Sequence, residues 1–209
     1  MVYLILFLLE ILVLYFLSRK LTKKLGGMLS TYLFAVLFLP GTFIHEIAHF
    51  LTALILFVPV GQPEFFPERE GKIMKLGSVP IGKADPFRRT IIGVAPVILG
   101  IVLIVLGFGL LIKNEAFKNF WVVLAAGYGV FEIGNTMFSS REDVKDAWIV
   151  ALVLALVAVG LYLLGVRFSF VPDSTLFRKI ATFMAVPIVI DIIVLGGLRL
   201  LTLEFVKSK

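Results

Sequence analysis

The chain has no cysteine and only two histidines among 209 residues, and charged residues make up just 16% of it. Without cysteine there is no disulfide framework and no thiolate zinc finger. The low charge argues against intrinsic disorder and against an ordinary soluble domain, in which about 25% of residues are charged. What fills the space is apolar, at 60% hydrophobic. The net charge of +6 suggests a nucleic-acid binder, but the 20 Lys and Arg fall in short clusters between long apolar runs. Membrane proteins keep their bases there, so neither nucleic acid nor, without a phosphate-binding motif, nucleotide is an expected partner. The expected surroundings are a lipid bilayer.

The apolar runs set the organisation. Residues 2–17 form the first, interrupted by Glu10. No bases precede it and no small-residue cleavage site follows it, so it reads as a retained helix rather than a signal peptide. Arg19, Lys20, Lys23, Lys24 and Gly26-Gly27 are expected to end it in a polar turn. Residues 29–58 form a second run, about 45 Å long if fully helical. It exceeds a hydrocarbon core of about 30 Å, and Pro40-Gly41 is the natural bend. Residues 59–89 are rich in proline, glycine and charge and belong outside the hydrocarbon. Within them, Glu64–Phe66 and Ile73–Ile81 are candidate strands of a small hairpin, with proline confining them to edge positions. Runs at 90–112, 119–138, 147–165 and 180–203 follow. The expected fold is all-α and polytopic: about six transmembrane helices in one membrane-embedded domain over 1–209, with a small β-hairpin-like extramembrane segment. Gly93, Gly100 and Gly107, seven apart, read as a helix-packing face.

Both histidines lie in His45-Glu46-Ile47-Ala48-His49, an HExxH motif. Four residues apart on a helix, the two imidazoles share a face and can reach one metal ion. Catalytic zinc takes three protein ligands and keeps one position for water, and Glu46 is placed to take that water's proton. With no further histidine, the third ligand must be a carboxylate. Asp143 and Asp146 lie at the start of the fifth run, while Glu132 and Asp191 lie within the fourth and sixth. Counting crossings puts 139–146 on the same side of the membrane as the end of the second run, which favours Asp143. Asp146 and Glu132 remain alternatives. Asp143 also suits a helix cap, since Ser140-x-x-Asp143 and Ser139-x-x-Glu142 both resemble capping boxes. Asp191 and Arg199, about two turns apart, read as part of a buried polar contact with another helix.

With these residues the sequence resembles the site-2 protease (M50-like) family of intramembrane zinc metalloproteases. The resemblance rests on HEIAH inside an apolar run, the hairpin-like segment after it, and Asn135 ahead of Asp143 in a later run. Gly93-Val94-Ala95-Pro96 adds a small-residue and proline motif. Where family members carry Asn-x-x-Pro and then Leu-Asp-Gly, this chain reads GNTMFSSREDV. The resemblance covers roughly 30–146. It implies one Zn2+ per chain held by His45, His49 and an aspartate, Glu46 as general base, and Asn135 bonding substrate backbone. It also implies membrane-embedded or membrane-tethered protein substrates, and an active site nearer the cytoplasmic face of a multi-pass protein. The segment 59–89 would then offer a strand edge to an unwound substrate.

Charge alone does not orient the chain. Nine Lys and Arg lie in 18–29, 113–118 and 166–179, against ten in 59–89, 139–146 and the tail. Other functions stay open. A small ion transporter or channel would use Glu132, Asp191 and Arg199 as a path. A protease-like protein would hold clients without cutting them, and a glutamate-type membrane metalloprotease would take Glu132 as its third ligand.

Overall fold

The computed structural model describes residues 2–64, 68–70, 73–75, 77–138, 140, 143, 145–165 and 173–207, with the backbone alone for 68–70, 73–75 and 201–207. Helix dominates. The order is α1 (Val2–Met28), α2 (Thr31–Ile55), β1 (Glu68–Glu70), β2 (Ile73–Lys75), α3 (Pro86–Lys113), a 3-10 turn (Ala116–Lys118), α4 (Phe120–Thr136), α5 (Ala147–Leu163) and α6 (Ser174–Lys207). Among the described residues, four of the six helices, α1, α2, α3 and α6, are long and apolar enough to cross a membrane. The helices α4 and α5 have 17 residues each, at the lower limit for a hydrocarbon core of about 30 Å.

α1 does not stop where its charges begin. It runs through Arg19–Lys24 and both glycines to Met28, so the polar turn expected there is absent. Packing explains the difference. Leu21 and Leu25, one turn apart, are buried against Phe34, Phe38 and Phe131. Burying a leucine from water is worth about 1.5–3 kcal/mol. That outweighs the roughly 1 kcal/mol that each of Gly26 and Gly27 costs a helix. The guanidinium of Arg19 lies 5.4 Å over the Tyr15 ring.

α2 starts at Ser30, whose hydroxyl accepts from the Leu33 amide. It ends short of the expected residue 58, in a left-handed turn. Phe57 has φ 55°, its amide donates to the Leu54 carbonyl, and the Val58 amide donates to the Ala53 carbonyl. These two bonds, with Val58 packed near Ala53 and Ile92, make a Schellman ending. α3 begins four residues earlier than the apolar run suggests. Asp85 accepts from the Phe87 and Arg88 amides, and Pro86 occupies the first helical position. The Arg88 and Phe87 amides hold the Asp85 carboxyl below the ordinary carboxylate range. α6 likewise begins early, at Ser174.

Between α2 and α3 the backbone folds back on itself. β1 and β2 pair antiparallel, Glu68 with Lys75 and Glu70 with Ile73. Isolated bridges join Glu64 to Ser78 and Val60 to Ile81. The pairing therefore falls at 68–70 rather than over Glu64–Phe66. Glu64 makes only a bridge, and Phe65 and Phe66 lie outside the described residues.

α1 packs along α6, and α2 lies between α3 and α4. α2 and α4 run parallel and in step. Tyr128 donates to the Leu37 carbonyl at 2.8 Å, and one turn later the Gly41 amide donates to Glu132 at 3.1 Å. Both pairs are separated by 91 residues, so these two successive turns of α2 match two successive turns of α4. Pro40 stays inside α2. α5 rests chiefly on α3 and has no buried residue. Of the seven-residue glycine series, Gly93 and Gly100 meet the 133–143 segment, whereas Gly107 faces open space.

Candidate metal centre

The HExxH residues lie in the second half of α2, where helical spacing brings the two imidazoles together. Their Nε2 atoms are 3.1 Å apart and their rings nearly perpendicular, at 82°. Asp143 approaches from the α4–α5 connection, its Oδ2 3.7 Å from His49 Nε2. One ligand atom from each of His45, His49 and Asp143 falls within 4.8 Å of the others.

The surroundings bear on whether these residues suit a metal. Nδ1 of His49 lies 2.9 Å from the Ile92 carbonyl. A carbonyl only accepts, so Nδ1 carries the proton and Nε2 presents its lone pair to the group. His49 is 3% exposed. Nδ1 of His45 is buried with no hydrogen-bond partner among the described residues. Two imidazole nitrogens and a carboxylate facing one point repel one another unless a cation or proton lies between them. Nitrogens held at about 2.0–2.1 Å by tetrahedral zinc stand a little over 3 Å apart, in keeping with the observed spacing. The donor set and its geometry fit zinc.

Asp143 is itself held in place. Its Oδ2 accepts from the Ser140 amide at 2.6 Å, and the Ser140 hydroxyl accepts from the Asp143 amide at 3.3 Å. The reciprocal bonds of the Ser140-x-x-Asp143 box therefore form, but ahead of α5, which starts at Ala147 with no side-chain cap from Asp146. The second box, Ser139-x-x-Glu142, lies outside the described residues. Asp146 is not one of the converging three: its Oδ2 takes Arg89 Nη1 at 2.8 Å. Glu132 also stands apart. It is 1% exposed, and its Oε2 accepts the Gly41 amide.

Glu46 is buried beside the pair. The backbone of Gly77 crosses it closely: a β-carbon there would lie 3.1 Å from Glu46 Cγ, 2.9 Å from Thr42 Cγ2 and 2.8 Å from the Glu64 carbonyl oxygen. Asn135 faces another way. Its Nδ2 donates to the Phe131 carbonyl at 2.9 Å and to Asp191 Oδ1 at 2.7 Å. Both amide hydrogens are thereby used, leaving none for a substrate carbonyl. Asn135 thus joins α4 to α6, while its Oδ1 has no partner among the described residues. Arg199, eight residues beyond Asp191, is exposed.

Three contributors were not visible as such in the sequence. The Ile92 carbonyl has no side-chain signature. Arg89 sits in a basic pair with Arg88, and nothing in the sequence ties it to Asp146. Gly93 was legible as a packing glycine, but not as one packed on Asp143. No family model, curated protein or solved structure matches the chain.

Proposed function

We propose that the chain is an intramembrane zinc metallopeptidase of the site-2 protease kind. In this reading all six helices cross the bilayer, the metal centre lies nearer the cytoplasmic face, and the substrates are membrane-embedded or membrane-tethered proteins. The observation that carries it is the convergence of His45, His49 and Asp143 around one point, with the His49 tautomer set by a backbone carbonyl.

Bound there, zinc supplies Lewis acidity, bringing the pKa of water towards about 7 and stabilising negative charge on the peptide oxygen. Glu46 accepts the proton of the attacking water and passes it to the leaving amine. Its burial beside Gly77 shields that transfer from bulk solvent. Antiparallel bridges join Val60 to Ile81 and Glu64 to Ser78, and the edge of backbone paired in this way suits an unwound substrate segment.

The test is cleavage of a single-span substrate in proteoliposomes. The wild type cuts, whereas Glu46→Gln keeps its zinc and loses at least about 100-fold in rate, the scale of general-base catalysis. Cutting by Glu46→Gln at the wild-type rate overturns the scheme. A second reading, a small ion transporter, draws on buried Glu132, Asn135 and Asp191, each with one oxygen unpartnered among the described residues. Labelled-ion flux that Glu46→Gln leaves unchanged, without peptide cleavage, would favour it.

A further inference from the structure

The first turns of α3 touch the metal group and its support at three points. The Ile92 carbonyl accepts from His49 Nδ1 at 2.9 Å. Arg89 holds the Asp146 carboxylate at 2.8 Å, both side chains being partly exposed. Gly93 lies directly against the Asp143 backbone: a β-carbon there would fall 2.7 Å from the Asp143 carbonyl carbon and closer still to its oxygen. Arg89, Gly93 and Gly100 lie along one side of α3. Opposite them the chain runs the other way, from Asp146 through Asp143 to Met137, which packs on Gly100.

We infer that Arg89, the Ile92 carbonyl and Gly93 act as one support that positions His49 and Asp143 for metal binding. The inference rests on the metal-centre reading above. Asp143 reaches the group from a connection, not from a helix, and its own hydrogen bonds to Ser140 are local to that connection. They fix the shape of the turn but not its distance from α2. That distance is set where the turn meets α3. Gly93 lets the Asp143 backbone come close, and Arg89 anchors the far side of the turn through Asp146. The same two turns of α3 carry the carbonyl that orients His49, so one rigid helix references two ligands that come from separate elements. Arg89 and Gly93 are positioning residues, since neither touches the metal.

Purified full-length protein is titrated with Zn2+ in competition with a chromophoric chelator, and its Co2+ form is read by visible absorption. Gly93→Ala is expected to weaken Zn2+ binding about 10–100-fold, the range for residues that orient metal ligands, and to reduce the Co2+ bands of a four-coordinate site. Gly107→Ala, where no atom lies within 4 Å, leaves both unchanged. Arg89→Asp weakens binding about tenfold. Adding Asp146→Arg restores it, a rescue that a merely destabilised fold would not show. In an Asp143→Ala background, Gly93→Ala has no further effect on residual binding. Wild-type affinity in both Gly93→Ala and Arg89→Asp overturns this inference alone. Should Gly93→Ala fail to fold, the Arg89/Asp146 exchange decides, and failure to rescue overturns the inference. A wild type that takes up no Zn2+, or His49→Ala that binds as well as wild type, overturns the metal reading and this inference with it.

Discussion

The backbone amide of Gly41 donates to the carboxylate of Glu132, 3.1 Å away, across the α2–α4 contact. This bond sits one residue past Pro40, which has no amide hydrogen of its own and disturbs the turn around it. One turn earlier, the Leu37 carbonyl accepts from Tyr128. α4 therefore supplies partners to α2 at its proline, one turn before His45.

Glu132 is expected to matter for stability rather than for metal. Glu132→Ala leaves the Gly41 amide without its buried acceptor, at a cost of about 1–3 kcal/mol. Glu132→Gln keeps an acceptor oxygen and costs less. Both are expected to retain one zinc per chain. Reversible unfolding in mixed micelles, read beside metal content, checks this. Loss of zinc from Glu132→Gln in a protein that still folds would make Glu132 the third ligand.

Asp143 and Asp146 separate cleanly. Asp143→Ala removes one of the three converging groups and is expected to weaken zinc binding by more than about 100-fold, beyond the range for residues that only orient ligands. Asp146→Ala leaves Arg89 unpaired and is expected to weaken binding far less. Metal content by mass spectrometry after dialysis against a weak chelator distinguishes the two. Equal losses would mean that the turn as a whole, and not the Asp143 carboxylate, holds the metal.

How far the sequence led depended on how local each signal was. His45 and His49 share a face because of helix geometry alone, so HExxH was legible at once. Asp143 emerged from its order in the chain and from counting crossings, which needs no distances. The continuation of α1 through Arg19–Gly27 was not legible, because it depends on Leu21 and Leu25 meeting Phe34, Phe38 and Phe131 from other helices. Asn135 and Asp191 were each singled out, yet their bond joins residues 56 apart and no periodicity connects them. The carbonyl that orients His49 belongs to Ile92, whose side chain carries no trace of that role.

The Asn135–Asp191 bond gives a prediction of its own. Both residues are almost wholly buried, and removing one strands the other. Asn135→Ala is expected to destabilise the protein by about 1–3 kcal/mol while leaving zinc affinity unchanged. Replacing both with leucine recovers much of that loss, because no polar group is then left unpaired. Thermal unfolding of the single and double variants tests this. If Asn135→Ala instead raised the KM for a membrane substrate with no change in stability, Asn135 would be a substrate contact after all.

Gly77 provides the sharpest test of whether the extramembrane segment belongs to the site. It crosses Thr42 and Glu46 so closely that any side chain there must displace something, and one of the atoms in the way is the Glu64 carbonyl oxygen, which is backbone. The three atoms nearest a β-carbon at Gly77 belong to Glu64, Thr42 and Glu46 and none to His45, His49 or Asp143, so Gly77→Val is expected to leave zinc binding intact. What it should move is Glu46 or the paired chain above it, and small displacements of a reacting group are costly, up to about 100-fold for 1 Å. The expected result is full zinc occupancy with cleavage reduced at least about tenfold. Gly82→Ala serves as the comparison, since it disturbs the same segment beside Pro59 and not beside Glu46. Equal losses of activity in the two variants would point to general damage to the segment. A loss confined to Gly77→Val would place the backbone at Gly77 against the general base during turnover.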